Sequence, residues 1–243
     1  LKLTVLGNNG PYPRAGGACS GYLIETDDTK ILLDCGNGVL SRLQKICKID
    51  ELDAIIISHL HSDHISDIFI LKYAIGLNLE KMQKAPIPLY MPMDNECFIQ
   101  QMNYNNAFNI IQIDEETTID INNLEISFKK MTHPVESYAI KILTNNRSFV
   151  YSGDTSYNDQ LPEFIKNIDF FLCEASVLEK DRKIDTPHLS VKQAAQMAQN
   201  SIVKRLLLTH FWPEYKLEDI MAEASTEYNS ILQLSEEMRA YYI

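Results

Sequence analysis

Apolar and polar positions alternate with the period of a strand from the first residues onward. Leu1-Lys2-Leu3-Thr4-Val5-Leu6 reads as a strand that stops at Gly7-Asn8-Asn9-Gly10-Pro11, and Pro13-Arg14-Ala15-Gly16-Gly17 extends a turn-rich loop able to approach a ligand. Ser20–Glu25 and Lys30–Asp34 form a hairpin around Asp27-Asp28-Thr29, and a helix follows from Val39 to about Ile46. Ala54-Ile55-Ile56-Ile57 is a β-branched run with the reading of a buried strand, and Ile68–Leu79 has helical length. Pro86 and Pro88 bracket the return to a strand at Leu89-Tyr90-Met91, Asp94 is placed to cap another helix, and Asn103–Asn109 reads as irregular.

A second block begins with strands at Ile119–Ile121 and Leu124–Phe128. The hairpin Tyr138–Ile142/Ser148–Tyr151 turns at Asn145-Asn146, and a short helix (Leu161–Asn167) leads to a strand (Ile168–Cys173). Ser190 with Gln193 forms a capping box opening a helix through Ala198, and Arg205–Thr209 is the next strand. The tail from Asn229 to Ile243 is read as a closing hairpin rather than a last helix. Two blocks of strands with helices among antiparallel hairpins predict an α+β fold, a four-layer αβ/βα sandwich, and with no linker in sight residues 1–243 are read as one domain.

Composition narrows the function. A hydrophobic fraction of 45% and a charged fraction of 23% belong to an ordinary globular chain. The net charge of −11 argues against a broad basic surface for nucleic acid, while a cleft of histidines and metal ions could still receive a polyanion. Five cysteines without a CxxC pair, and an N-terminus that already alternates like a strand, predict reduced thiols in a cytoplasmic protein. No apolar run is long enough for a bilayer, so no membrane role is expected.

The candidate chemistry lies where strands end. Directly after Ala54–Ile57 comes Ser58-His59-Leu60-His61-Ser62-Asp63-His64. His59 and His61 can project to one side of an extended segment, and the following turn can aim Asp63 and His64 at a neighbouring point. Two adjacent metal ions therefore suit the spacing better than one, in the manner of paired hydrolytic metals. A lone histidine would be better read as polar surface, but three histidines and an aspartate fall within six positions. The other three of the six histidines, His133, His188 and His210, also stand at turns or strand ends. Asp154 in Ser152-Gly153-Asp154-Thr155 and Glu174 after Ile168–Cys173 are carboxylates delivered in the same way.

His59-Leu60-His61-Ser62-Asp63-His64, His133, Asp154 and His210, in that order, resemble the metal-binding set of the metallo-β-lactamase superfamily. The resemblance implies that fold and a dinuclear site: His59, His61 and His133 on one metal, Asp63, His64 and His210 on the second, Asp154 bridging. Glu174-Ala175-Ser176 and His188-Leu189-Ser190 further resemble the RNase Z branch, in which a histidine at the place of His188 helps protonate the leaving group and a glutamate at the place of Glu174 orients it. The tRNA-cutting members carry a glycine- and proline-rich arm between the segments matching His133 and Asp154. Only 21 positions (133 to 154) separate them here, and Asp67 stands where those enzymes usually have glycine.

These features predict a metal-dependent hydrolase with a hydroxide between two divalent ions, Zn2+ or alternatively Mn2+, as nucleophile, oriented by Asp63. His188 is the expected acid, supported by Glu174. A sugar alkoxide needs that acid and a thioester does not, which favours RNA, cyclic nucleotides or other small phosphodiesters over a thioesterase, lactonase or glyoxalase II-type activity. The missing arm and the acidic charge argue against a tRNA precursor. Relatives in this branch often pair, so a homodimer is expected from the resemblance.

Overall fold

Strands apolar on both faces require cover on both faces, and this chain supplies it by stacking two sheets between two helical layers. The computed structural model describes residues 1–82, 84–93 and 96–243. The first half holds β1 (Lys2–Gly7), β2 (Gly21–Glu25), β3 (Lys30–Leu33), α1 (Val39–Leu43), β4 (Ala54–Ile56), α2 (Ser62–Ile65), α3 (Ile68–Gly76), β5 (Ile87–Met91), α4 (Glu96–Gln101) and β6 (Phe108–Gln112). The second holds β7 (Thr118–Ile121), β8 (Leu124–Lys130), β9 (Tyr138–Leu143), β10 (Ser148–Tyr151), α5 (Gln160–Phe164), β11 (Phe170–Glu174), α6 (Val191–Asn200), β12 (Arg205–Thr209), α7 (Leu217–Ser225), β13 (Ile231–Leu234) and β14 (Ala240–Tyr242).

The sheets run β14-β1-β2-β3-β4-β5-β6 and β13-β12-β11-β10-β9-β8-β7. Each joins an antiparallel part to a parallel one, β3 to β6 in the first and β10 to β13 in the second. Alternation along each strand assigns its two faces. Ile31 and Leu33 of β3 and Leu207 of β12 pack between the sheets with Phe149, Tyr151 and Leu172. Leu32 turns outward onto Val39, Leu43, Ile68 and Leu71, while Leu206 and Leu208 turn outward onto Val191, Ala195 and Ile220. The result is the α+β sandwich, helices outside and two mixed sheets within. No helix among the described residues is long and apolar enough to cross a membrane.

The expected helix cap at Asp94 lies outside the described residues, and two other expectations change. Phe108–Gln112, whose first two residues fall within the stretch read as irregular, is the parallel edge strand β6, paired with β5 from Ile87↔Phe108 to Met91↔Gln112. The tail is not a hairpin: β13 pairs with β12 in the second sheet and β14 with β1 in the first, so the chain crosses from one sheet to the other. Pairing partners far away in sequence decide that choice, and local alternation does not contain them.

Candidate active site

The loops that leave β3, β4, β8, β10, β11 and β12 converge, and every histidine of the chain lies among them. His59 and His61 follow β4, Asp63 and His64 lie in α2, and His133 follows β8. Asp154 follows β10, Glu174 closes β11 and His210 follows β12. Parallel strands present their carboxyl ends together, the usual place for a ligand in such sheets. Gly153 permits the turn into Asp154: its φ is +57°, and a β-carbon there would stand 2.7 Å from the Tyr138 carbonyl oxygen. His210 itself has φ +57° and Asp34 φ +54°, left-handed conformations held at the site by the surrounding structure.

Two groups of ligand atoms form. His59, His61 and His133 make the first, Asp63, His64, Asp154 and His210 the second, the atoms of each within 4.8 Å of one another. His61 Nδ1 is 3.2 Å from His59 Nε2 and 3.0 Å from His133 Nε2. His210 Nε2 is 3.1 Å from Asp63 Oδ2 and 3.2 Å from His64 Nε2. Asp154 Oδ2 faces both groups, 3.6 Å from His59 Nε2, 3.4 Å from His64 Nε2 and 3.3 Å from His210 Nε2.

The outer nitrogens of four of these five rings are tied down. Asp34 Oδ2 is 2.7 Å from His64 Nδ1, and it also accepts from the hydroxyls of Ser58 and Tyr151, both at 2.8 Å. Ser58 Oγ in turn is 3.1 Å from His59 Nδ1, His133 Nδ1 is 3.0 Å from the Pro187 carbonyl, and His210 Nδ1 is 2.7 Å from Ser176 Oγ. Each of the four is thereby turned with its other nitrogen inward, the arrangement that orients metal-ligating histidines. The sequence assigns no role to Asp34 or Tyr151, and Ser58 and Ser176 stand within its motifs without one. Asp34 follows an apolar strand and precedes a Cys-Gly turn, a feature it shares with aspartates that merely cap a turn.

The site's ionisation matches a cation-binding role. Burial holds His59, His61 and His133 below the usual histidine range, which keeps them neutral and able to ligate. Burial opposes the charge of Asp154, yet His210, His64 and His59 hold it well below the carboxylate range. Burial also opposes a charged His64, but Asp154, Asp63 and Asp34 raise it well above the histidine range. Asp34, Asp63 and Asp154 thus surround His64 and favour positive charge at this point, as a cation-binding site must. Asp154 Oδ1 is buried without a hydrogen-bond partner, an orphan that a metal would satisfy. The donor set fits divalent metal.

Beside these groups, His188 Nδ1 lies 3.2 and 3.1 Å from the two oxygens of Glu174 and 3.8 Å from Asp154 Oδ2. Glu174 is fully buried and also accepts from the Thr155 amide and the Ser176 hydroxyl, both at 2.6 Å. Burial works against charge on His188, but the Glu174 carboxylate overcomes it and pushes the ring up to about 9. All nine residues singled out in the sequence therefore lie in one strand-end constellation.

An αβ/βα sandwich with paired His/Asp clusters at its strand ends is the architecture of a metal-dependent hydrolase. Residues 29–211 match the family described as the β-lactamase superfamily domain, and the chain belongs to that superfamily. The probable metallo-hydrolase YhfI of Bacillus subtilis (strain 168) is 33% identical over 239 residues, covering 97% of both chains. The crystal structure of the Bacillus subtilis protein YhfI superposes with a TM-score of 0.93 at 29% identity, over 99% of this chain and 98% of that one. A ribonuclease Z of Clostridioides difficile (strain 630) is 26% identical over 289 aligned residues, 93% of each chain. The short form of human tRNase Z, at a TM-score of 0.80 and 23% identity over 100% of this chain and 99% of that one, shares the fold.

Proposed function

We propose that this metallo-hydrolase is a phosphodiesterase acting on small phosphodiesters, cyclic nucleotides or short single-stranded RNA. The observation that carries the reading is the His188–Glu174 pair, an imidazole anchored by a buried carboxylate 3.1 Å away and set beside the shared Asp154. Divalent ions held by His59, His61 and His133, and by Asp63, His64 and His210, with Asp154 common to both, would acidify water towards hydroxide at neutral pH and neutralise charge on phosphoryl oxygens. Five imidazoles and two carboxylates suit zinc, with manganese as the other candidate.

The protein's own groups do the rest. Asp63 orients the attacking water. As the phosphorus–oxygen bond to the sugar breaks, His188 gives the proton on Nε2 to the departing oxygen, while Glu174 keeps hold of Nδ1–H and stabilises the charged ring beforehand. An acyl substrate with a thiolate leaving group would leave this pair without a task. Similarity to a ribonuclease Z supports the phosphodiester class, and that alignment, 289 positions against a chain of 243, leaves the relative with residues this chain lacks.

The test compares 2′,3′-cyclic nucleotides, bis-p-nitrophenyl phosphate and an S-acyl glutathione, with zinc or manganese, for the native chain and His188→Ala. Both diesters are expected to be cleaved. The substitution should slow the cyclic nucleotide by about 10²–10⁴-fold and spare the p-nitrophenyl ester, whose leaving group needs no proton. Turnover of the thioester alone, indifferent to His188→Ala, would replace the reading with an acyl hydrolase.

A further inference from the structure

Two exposed aromatics stand on the segments that meet at His210. Phe211 N–H donates to the Asn8 carbonyl at 2.9 Å and Gly10 N–H to the Phe211 carbonyl at 3.2 Å, so residues 8–10 and 210–211 run side by side. The approach is close: a β-carbon at Gly10 would stand 2.1 Å from His210 Nε2. Two residues beyond Gly10 is Tyr12, and two beyond His210 is Trp212. With successive α-carbons 3.8 Å apart, each aromatic α-carbon lies within about 8 Å of one of those two site residues.

The rings are paired edge to face, centroids 6.1 Å apart at 74°, and both remain open to solvent, Tyr12 at 42% and Trp212 at 39%. Tyr12 hydroxyl donates to Glu214 Oε1 at 3.0 Å. Pro11 and Pro13 flank Tyr12, and Pro213 follows Trp212, so the backbone carrying both rings has little freedom to lose on binding. Side chains this exposed add little to the core. Half-open ring faces carried on the segments that adjoin His210 suit a flat solute with a π-face and hydrated edges better than an acyl chain, which needs enclosing walls.

We propose that Tyr12 and Trp212 form a stacking platform for the nucleobase of the substrate, which narrows the substrate class to nucleotides. The platform rests on the phosphodiesterase reading for the link between base and phosphate. Trp212 is the single tryptophan of the chain, so its emission reports occupancy of the platform without any turnover.

Emission is titrated with adenosine 5′-monophosphate, ribose 5-phosphate and inorganic phosphate, for the native chain and Tyr12→Ala. The expected result is saturable quenching by the nucleotide alone, with affinity about tenfold lower in Tyr12→Ala. Equal responses to all three probes, or none to the nucleotide, overturn the proposal. An emission change that follows protein concentration instead assigns the rings to contact with a second copy of this chain, which also overturns it. Cleavage of bis-p-nitrophenyl phosphate by the native chain tests the parent reading separately: diester turnover with a silent tryptophan sinks the platform alone.

Discussion

Asp34 reaches both candidate metal groups at once. Its carboxylate holds His64 directly at 2.7 Å and His59 through Ser58 Oγ, which is 2.8 Å from Asp34 and 3.1 Å from the ring. Asp34→Asn keeps the size but removes the charge that fixes the His64 tautomer, so divalent-metal affinity should fall roughly 10–100-fold, read as metal retained after dialysis against graded chelator. Retention equal to the native chain would show that ring orientation does not depend on this carboxylate. The histidines were legible in the sequence because three of them and Asp63 crowd into six positions, and no packing role explains such a run. Asp34 was not, for a single aspartate at a strand end looks the same whether it caps a turn or grips a ring 30 residues away. Ser176, bonded at once to Glu174 and His210, is hidden for the same reason.

Elements bring these residues into register, and one cap bears on His188 directly. Ser190 Oγ accepts from the Gln193 backbone amide at the start of α6, Gln193 Oε1 accepts from the Ser190 amide, and Val177↔Ser190 bridging ties this turn to the loop that leaves β11. Ser190→Ala should therefore cost about 1 kcal/mol, a fall in Tm of about 2–4 °C for a chain of this size, measured by thermal denaturation. An unchanged Tm would mean that packing alone fixes the turn. At the opposite end of β11, partial burial pushes Asp169 up, but Lys204 and the amide and hydroxyl of Ser148 hold it below the usual aspartate range. A lowered folded pKa stabilises above the unfolded value near 4 and is lost as pH falls through the folded one. Asp169→Asn should be less stable than the native chain at pH 7 by about 1 kcal/mol, with the gap closing below about pH 4 in denaturant titrations. The capping box and the β9–β10 hairpin could be read from local sequence because their partners are local. β6, and the partners of β13 and β14, could not, since those pairings join segments far apart in the chain and are placed by the whole fold.

At the scale of the molecule, charge and connectivity decide which substrates the proposed phosphodiesterase could hold. The chain carries a net charge of −11, and the segment between His133 and Asp154 is occupied by β9, β10 and their turn, both strands paired within the second sheet. That leaves no protruding arm among the described residues there to grip a folded RNA away from the site. A protein that binds a polyanion through 6–10 phosphate contacts loses about 10³–10⁵ in affinity between 50 and 200 mM salt, because each contact releases condensed counterions. A site that meets one phosphate with local cations and a base with aromatic rings releases few. For this chain, kcat/KM on a cyclic nucleotide should therefore change by less than about tenfold over that range, and a precursor tRNA should be a poor substrate at every salt concentration. Steep salt dependence together with efficient precursor cleavage would mean that an anionic surface has been overcome by contacts elsewhere on the molecule, and the small-substrate reading would have to be given up.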